Sequence, residues 1–109
     1  KRLRTVAIAG SQRFALMPDL PTVAEAGLKG FATDNWYGVF APAGTPAAIV
    51  NRLHSEMVKA LAAPALQKQL LELGIVATSS ASPAAFASYI VAETEKWGRI
   101  TKAAGIKGD

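Results

Sequence analysis

The spacing of apolar residues predicts three helices in the second half of the chain. After residue 46 an apolar side chain recurs at every fourth position and forms one stripe along a helix, made of Ile49, Leu53, Met57 and Leu61. Pro64 breaks this helix and starts a second one, which Gly74 ends. Thr45-Pro46 and Ser82-Pro83 each combine a capping hydroxyl with a proline, which is typical of a helix start. The third helix is predicted from Ser82-Pro83 to Gly105.

Three short apolar runs, at residues 5–9, 34–41 and 75–78, predict strands. The second run is apolar or small on both of its faces, as in a strand that is covered on both sides. Before it, Thr22 and Glu25 have the spacing of a capping box, and Gly27 is placed to end that short helix. The order β-α-β-α-α-β-α predicts an α/β fold, with helices packed on a parallel or mixed sheet as three α/β/α layers.

Composition narrows the classes of protein that fit this pattern. The chain has 109 residues, which suits one domain, and no cysteine, which excludes disulfides and thiolate metal sites. Its net charge of +4 is not gathered into a basic face with aromatic residues between the charges, so we expect no nucleic-acid partner. The chain opens with Lys1 rather than Met, and we expect it to be a processed or excised piece of a longer polypeptide.

Two residues are candidates for acid–base chemistry, and a structural role is favoured for both. His54 is the single histidine and lies at the edge of its helix's apolar stripe, without a second histidine to complete a metal pair. Glu93 falls within the apolar stripe of the last helix. It is either a buried carboxylate with a shifted pKa or, as we favour, a side chain that reaches solvent from the edge. The sequence has no nucleophile elbow, phosphate loop or dinucleotide fingerprint. No catalytic motif therefore accompanies either residue, and we expect no cofactor and no metal.

Two segments are candidates for contact with a ligand. Residues 10–13, Gly-Ser-Gln-Arg, follow the carboxyl end of a predicted strand, where ligands gather in open α/β sheets. An ordinary polar loop is an equally good interpretation of these residues. Residues 33–38 place a polar Asn35 and the large ring of Trp36 beside Gly38, which permits a close approach. A core strand with one solvated end is the slightly favoured alternative.

Several segments resemble the C-terminal part of the Bug family, the extracytoplasmic solute receptors of tripartite tricarboxylate transporters. The two most specific are Pro-Thr-Val-Ala-Glu-Ala-Gly at residues 21–27 and Ala-Pro-Ala-Gly-Thr-Pro at residues 41–46. Residues 3–8, the run Trp-Tyr-Gly-Val-Phe at 36–40, and Trp97-Gly98 leading to residues 103–107 also match. The segments follow the family's order and cover nearly the whole chain.

The resemblance implies a periplasmic receptor that traps a small organic anion, a carboxylate or an amino acid, between two α/β lobes. Each lobe would be of the periplasmic-binding-protein type II kind. Closing of the lobes around a hinge would present the loaded receptor to a membrane permease. The family implies no catalysis and no cofactor, and a small carboxylate can be held by backbone N–H groups and water.

The resemblance also divides the chain. Residues 1–33 would be the tail of the second lobe, and residues 34–109 would be the C-terminal part of the first lobe, entered by a strand that crosses the hinge. Ser11, Thr33, Asn35 and Trp36 are the candidate ligand-binding residues, inferred from their location rather than from a matched motif. Because a full receptor is about three times longer, we expect an incomplete lobe with uncovered apolar surface that associates with itself.

Two other functions fit parts of the pattern. The first is a free-standing α/β interaction module that pairs with a partner chain and binds no ligand of its own. The second is a small enzyme that uses Glu93 or His54 as a base, which is the weakest hypothesis because no second catalytic group accompanies either residue.

Overall fold

The computed structural model describes residues 3–106. In this part of the chain the regular elements are three helices, α1 (Ala47–Leu61), α2 (Pro64–Glu72) and α3 (Pro83–Ala103). All three helices predicted from the apolar spacing of the second half are confirmed. The helix α1 contacts both of the others. The segment around Thr22 and Glu25, which the sequence predicts as a short helix, forms turns instead.

The two predicted helix starts differ in how they are capped. At α3 the Ser82 hydroxyl accepts the Ala85 backbone N–H at 3.0 Å, and Pro83 is the first helical residue. At α1 the N-cap residue is Pro46, so no side chain caps the helix, and the Thr45 hydroxyl donates to the Pro42 carbonyl at 2.8 Å. The predicted Thr45 cap is therefore wrong, because the helix begins one residue later than the sequence predicts and Pro46 takes the cap position.

Glycine ends two of the helices by the same backbone arrangement. At the end of α2, Gly74 has a φ of 80° and donates its N–H to the Leu71 carbonyl at 2.9 Å. The N–H of the next residue, Ile75, donates to the Leu70 carbonyl at 2.9 Å. These two bonds form a Schellman motif, which satisfies carbonyls that the helix itself leaves open. Gly105 ends α3 in the same way, as the sequence predicts.

The predicted three-layer α/β fold is wrong for this chain. Residues 3–106 contain no strand or sheet, and their only bridge of strand type is a parallel one between Ile8 and Thr22. The runs at 34–41 and 75–78, predicted as strands, form none. An apolar run shows that a segment is suited to a sheet, but a strand also requires partner strands in register. A sheet of only one or two strands is not stable by itself. The sheet of a type II lobe is therefore absent from the described residues.

The chain divides into two compact units, Lys1–Phe40 and Ala41–Asp109. The predicted assignment of residues 1–33 and 34–109 to two lobes stays a prediction. Within the described residues no hydrophobic side chain is buried, and Thr22, at 4% exposure, is the one buried residue. Large apolar side chains such as Val6, Tyr37 and Leu73 are mostly exposed. No helix of the described part combines the length and the apolar character that a membrane crossing requires.

Candidate functional site

Three backbone hydrogen bonds bring distant parts of the first unit together. The Ile8 N–H donates to the Pro21 carbonyl at 2.8 Å, and the Val23 N–H donates to the Ile8 carbonyl at 2.9 Å. From the next residue along, the Ala9 carbonyl accepts the Thr33 N–H at 2.9 Å. The end of the 5–9 segment is thus held beside residues 21–23 and beside Thr33. This contact is what places the two candidate ligand segments next to each other.

The contact continues one residue further, at Gly10 and Asp34. A Cβ atom built on Gly10 would lie 2.6 Å from Asp34 Oδ1, well inside the distance at which two such atoms can pack. The Asp34 carboxylate therefore lies directly against the Gly10 backbone, in space that only a glycine leaves open. Asp34 forms no hydrogen bond or ion pair with another residue between 3 and 106. The sequence does not predict this contact, because in the sequence Asp34 is only the first residue of the apolar run 34–41.

The four predicted ligand-binding residues all lie in the first unit. Ser11 is exposed and directly follows Gly10, while Thr33 is half-buried beside Ala9. The structure thus brings Ser11 and Thr33 to the same end of the 5–9 segment. Asn35 is exposed and its amide donates to the Tyr37 hydroxyl at 3.4 Å, and Trp36 is half-buried. A role of these four residues in ligand binding stays a prediction.

Arg13, the one cation of the predicted ligand loop, is occupied within the protein. Its Nε donates to both carboxylate oxygens of Glu25, at 2.9 and 3.2 Å, and its Nη1 donates to the Pro18 carbonyl at 3.1 Å. Both side chains of the ion pair are about half exposed. The guanidinium therefore folds the 11–20 loop onto the Thr22–Glu25 turn. The sequence predicts the position of Glu25 but not this pairing, which joins residues far apart in the chain.

The predicted capping box at Thr22 and Glu25 is confirmed. The Thr22 hydroxyl accepts the Glu25 N–H at 3.1 Å, and the Glu25 carboxylate accepts the Thr22 N–H at 2.8 Å. The backbone hydrogen bond from Thr22, together with Arg13, lowers the pKa of Glu25 below its ordinary value of 4.5. Glu25 is therefore an anion at neutral pH. Its negative charge is matched by Arg13, so the pair adds no net charge beside the candidate site.

The two candidates for acid–base chemistry have structural partners in the second unit. His54 Nε2 lies 2.9 Å from the Ser80 carbonyl and ties α1 to the segment before α3. The Glu93 carboxylate forms a close ion pair with Lys96 and accepts the Trp97 Nε1 hydrogen at 3.1 Å. The Glu93 side chain is only 12% exposed, so it does not reach solvent in the way that the sequence favours. These contacts support a structural role for both residues.

A cleft of about 150 Å³ opens in the second unit beside the end of α1. Its walls come from α1, α2 and the extended residues that follow α2: Val58, Leu61, Ala62, Gln67, Ala77, Thr78 and Ser79. None of these side chains carries a charge. The cleft therefore has no group that would recognise an anion or a cation by its charge.

Comparison with known proteins gives a consistent result along nearly the whole chain. A model of the tripartite tricarboxylate transporter family receptor matches residues 1–106. A UPF0065 protein in the tcbD-tcbE intergenic region of Pseudomonas sp. (strain P51) is 43% identical over 101 residues, 92% of this chain and 30% of that protein. The protein BugT of Bordetella pertussis is 30% identical over 105 residues, 96% of this chain and 32% of that protein.

A further relative is a UPF0065 protein in the TAR-I ttuE-ttuC' intergenic region of Agrobacterium vitis. It is 36% identical over 101 residues, 91% of this chain and 29% of that protein. The chain thus spans about a third of the length of these curated relatives.

Proposed function

This chain belongs to the tripartite tricarboxylate transporter receptor family, and we propose that it forms part of a periplasmic receptor that captures a small organic anion. The receptor delivers this solute to a membrane permease and does not change it chemically. The observation that carries the proposal is the family match over residues 1–106. His54 and Glu93 both contact structural partners, Ser80 and Trp97, which supports a binding protein over an enzyme.

We place this chain's share of the ligand site at the contact between residues 10–11 and 33–34. Ser11 and Asn35 are exposed residues that offer a hydroxyl and an amide, and both side chains can donate to a carboxylate. Thr33 and Trp36 lie within two residues of Asn35 in the chain and are half-buried, so they are suited to the wall of a cleft. Because Arg13 is paired with Glu25, neutral donors and ordered water hold the ligand's carboxylate here.

The remaining contacts to the ligand come, in this proposal, from the parts of both lobes that the longer receptor adds to this chain. Residues 1–33 belong to one lobe and residues 34–109 to the other, and the solute lies between them. Binding shifts the receptor toward a closed shape because the ligand contacts both lobes only in that shape. The permease then distinguishes the loaded receptor from the empty one.

The first prediction concerns the binding of solutes by the full translation product of the gene that encodes this chain. Calorimetric titration with citrate, succinate, aspartate, glutamate and nicotinate is expected to give saturable binding of at least one of these acids. Ser11→Ala and Asn35→Ala each remove one neutral donor, so each is expected to weaken binding about three- to tenfold. Magnetic resonance of the released solute is expected to show it unchanged.

Matched controls come from the exposed surface of α1. Ser55→Ala and Asn51→Ala make the same chemical changes there, and both residues are exposed. They are expected to leave the dissociation constant within about 1.5-fold of the wild-type value. The proposal fails if none of the acids binds, or if the control variants weaken binding as much as the site variants do.

The second prediction concerns the state of the 109-residue chain alone in solution. We propose that it associates with a second copy, because no hydrophobic side chain among residues 3–106 is buried. Thr5, Val6 and Ala7 form no hydrogen bond with another described residue, so this segment is free to pair with the same segment of a second chain. Sedimentation is expected to give a mass above 11.4 kDa that rises with concentration.

A charge in the pairing segment tests where the two copies meet. Val6 is 69% exposed, and Val6→Lys is expected to weaken association at least fivefold, since like charges would lie opposite each other. Gln69→Lys adds the same charge to the exposed surface of α2 and is the control. A monomeric wild-type chain at all concentrations would contradict the proposal, and equal effects of the two variants would contradict the choice of segment.

A further inference from the structure

The internal ion pair between Arg13 and Glu25 leaves one charged side chain beside the proposed ligand site, the carboxylate of Asp34. Arg13 is held by both oxygens of Glu25 and by the Pro18 carbonyl, so its charge is matched within the protein. The Asp34 carboxylate lies against Gly10, next to Ser11, and forms no ion pair with another described residue. Among residues 3–106, this share of the site therefore presents one negative charge that no ion pair matches.

A negative charge at this position affects different solutes in opposite ways. It repels a second or third carboxylate of a polyanion, and it attracts an ammonium group. Asp34 is exposed to solvent, which screens its charge, so the interaction is moderate rather than large. Even so, one charge at about 4 to 5 Å is enough to set a preference of about tenfold between two solutes that differ by one ammonium group.

We infer that Asp34 is a specificity-determining residue that binds an amine, and that the solute is an amino acid rather than a di- or tricarboxylate. This inference rests on the proposed receptor function and on the place of the site within it. The carboxylate of the amino acid is held by the neutral donors of Ser11 and Asn35, and its ammonium group faces Asp34. The ligand then has both charges satisfied, and Asp34 gains the cationic partner that the described residues do not give it.

The test uses pairs of acids that differ only in the amine. Calorimetry on the full translation product compares alanine with propionate, aspartate with succinate, glutamate with glutarate, and phenylalanine with 3-phenylpropionate. In at least one pair the member with the amine is expected to bind about tenfold more tightly. Asp34→Asn keeps the shape of the side chain and removes its charge, so it is expected to reduce this preference about tenfold.

Asp19→Asn is the matched control, because it removes the same charge from another exposed aspartate of the first unit. It is expected to leave the preference within about twofold of the wild-type ratio. The inference is overturned if acids without the amine bind as tightly as those with it, or if Asp34→Asn leaves the ratio unchanged, while the receptor function stands in both cases. If no acid of any pair binds, the inference falls, and the receptor function falls with it only if citrate and nicotinate do not bind either.

Discussion

Gly74→Ala is expected to lower the free energy of unfolding of the second unit, Ala41–Asp109, by about 1 to 2 kcal/mol. Gly74 has a φ of 80°, a conformation in which a Cβ crowds the following carbonyl oxygen. No atom lies within 4 Å of the position that the new Cβ would take, so the cost is one of backbone strain alone. The strain acts on the two hydrogen bonds from Gly74 and Ile75 that close α2. Urea unfolding followed by helical circular dichroism measures this loss.

Gly98 provides a control of opposite sign. It lies inside α3, and a Cβ added there would also have no atom within 4 Å, but the backbone at Gly98 is helical. Gly98→Ala is therefore expected to raise the free energy of unfolding by about 0.5 to 1 kcal/mol, because alanine loses less backbone entropy in a helix. If Gly74→Ala were neutral or stabilising, the left-handed end of α2 would not be a determinant of stability.

Helix ends are predictable from the sequence wherever the signal is local. Ser82 caps α3 through a bond to a residue three positions away, and Gly74 ends α2 through bonds that span no more than five residues. The capping hydroxyl, the proline and the glycine are visible in the sequence at fixed spacing. Thr45 shows the limit of such a pattern, since α1 begins one residue later than predicted and Pro46, not Thr45, takes the cap position.

The strands are not predictable in this way, because a strand depends on residues far away in the chain. Residues 34–41 have the apolar pattern of a strand covered on both faces, and the described part of the chain gives them no sheet. At residues 5–9 the pattern is followed only as far as the single bridge from Ile8 to Thr22. An apolar pattern therefore indicates that a segment is able to join a sheet. Whether it forms a strand depends on a second segment that pairs with it.

In the candidate site, too, the features that depend on local sequence are predictable and the contacts between distant residues are not. Ser11 and Thr33 are predicted from their position next to expected strands, and the hydrogen bond from Thr33 to Ala9 does hold them near each other. The contacts that set the charge of the site, Arg13 with Glu25 and Gly10 with Asp34, join residues 12 and 24 positions apart. Nothing in the local sequence marks such pairs, so the sequence alone leaves the charge of Arg13 available to a ligand.

Acidification is expected to open the Thr22–Glu25 capping box and to weaken the Arg13–Glu25 ion pair that holds the 11–20 loop against it. The pKa of Glu25 is lowered in the folded chain, mainly by the Thr22 backbone N–H and then by Arg13. A carboxylate with a lowered pKa contributes stability that is complete above its ordinary pKa of 4.5 and is lost as the pH falls through the lower, folded-state value. The amide resonance of Thr22, which donates to Glu25 at 2.8 Å, is therefore expected to titrate with a midpoint below 4.5.

Three variants separate the causes of this shift. Glu25→Gln is expected to abolish the titration of the Thr22 amide, since no carboxylate remains to be protonated. Arg13→Gln is expected to raise the midpoint while leaving it below 4.5, because the Thr22 hydrogen bond is the larger cause. Glu72→Gln, at the end of α2, removes a carboxylate that forms no ion pair with a described residue and is the control. A midpoint at or above 4.5 in the wild-type chain would show that neither Thr22 nor Arg13 holds Glu25 in solution.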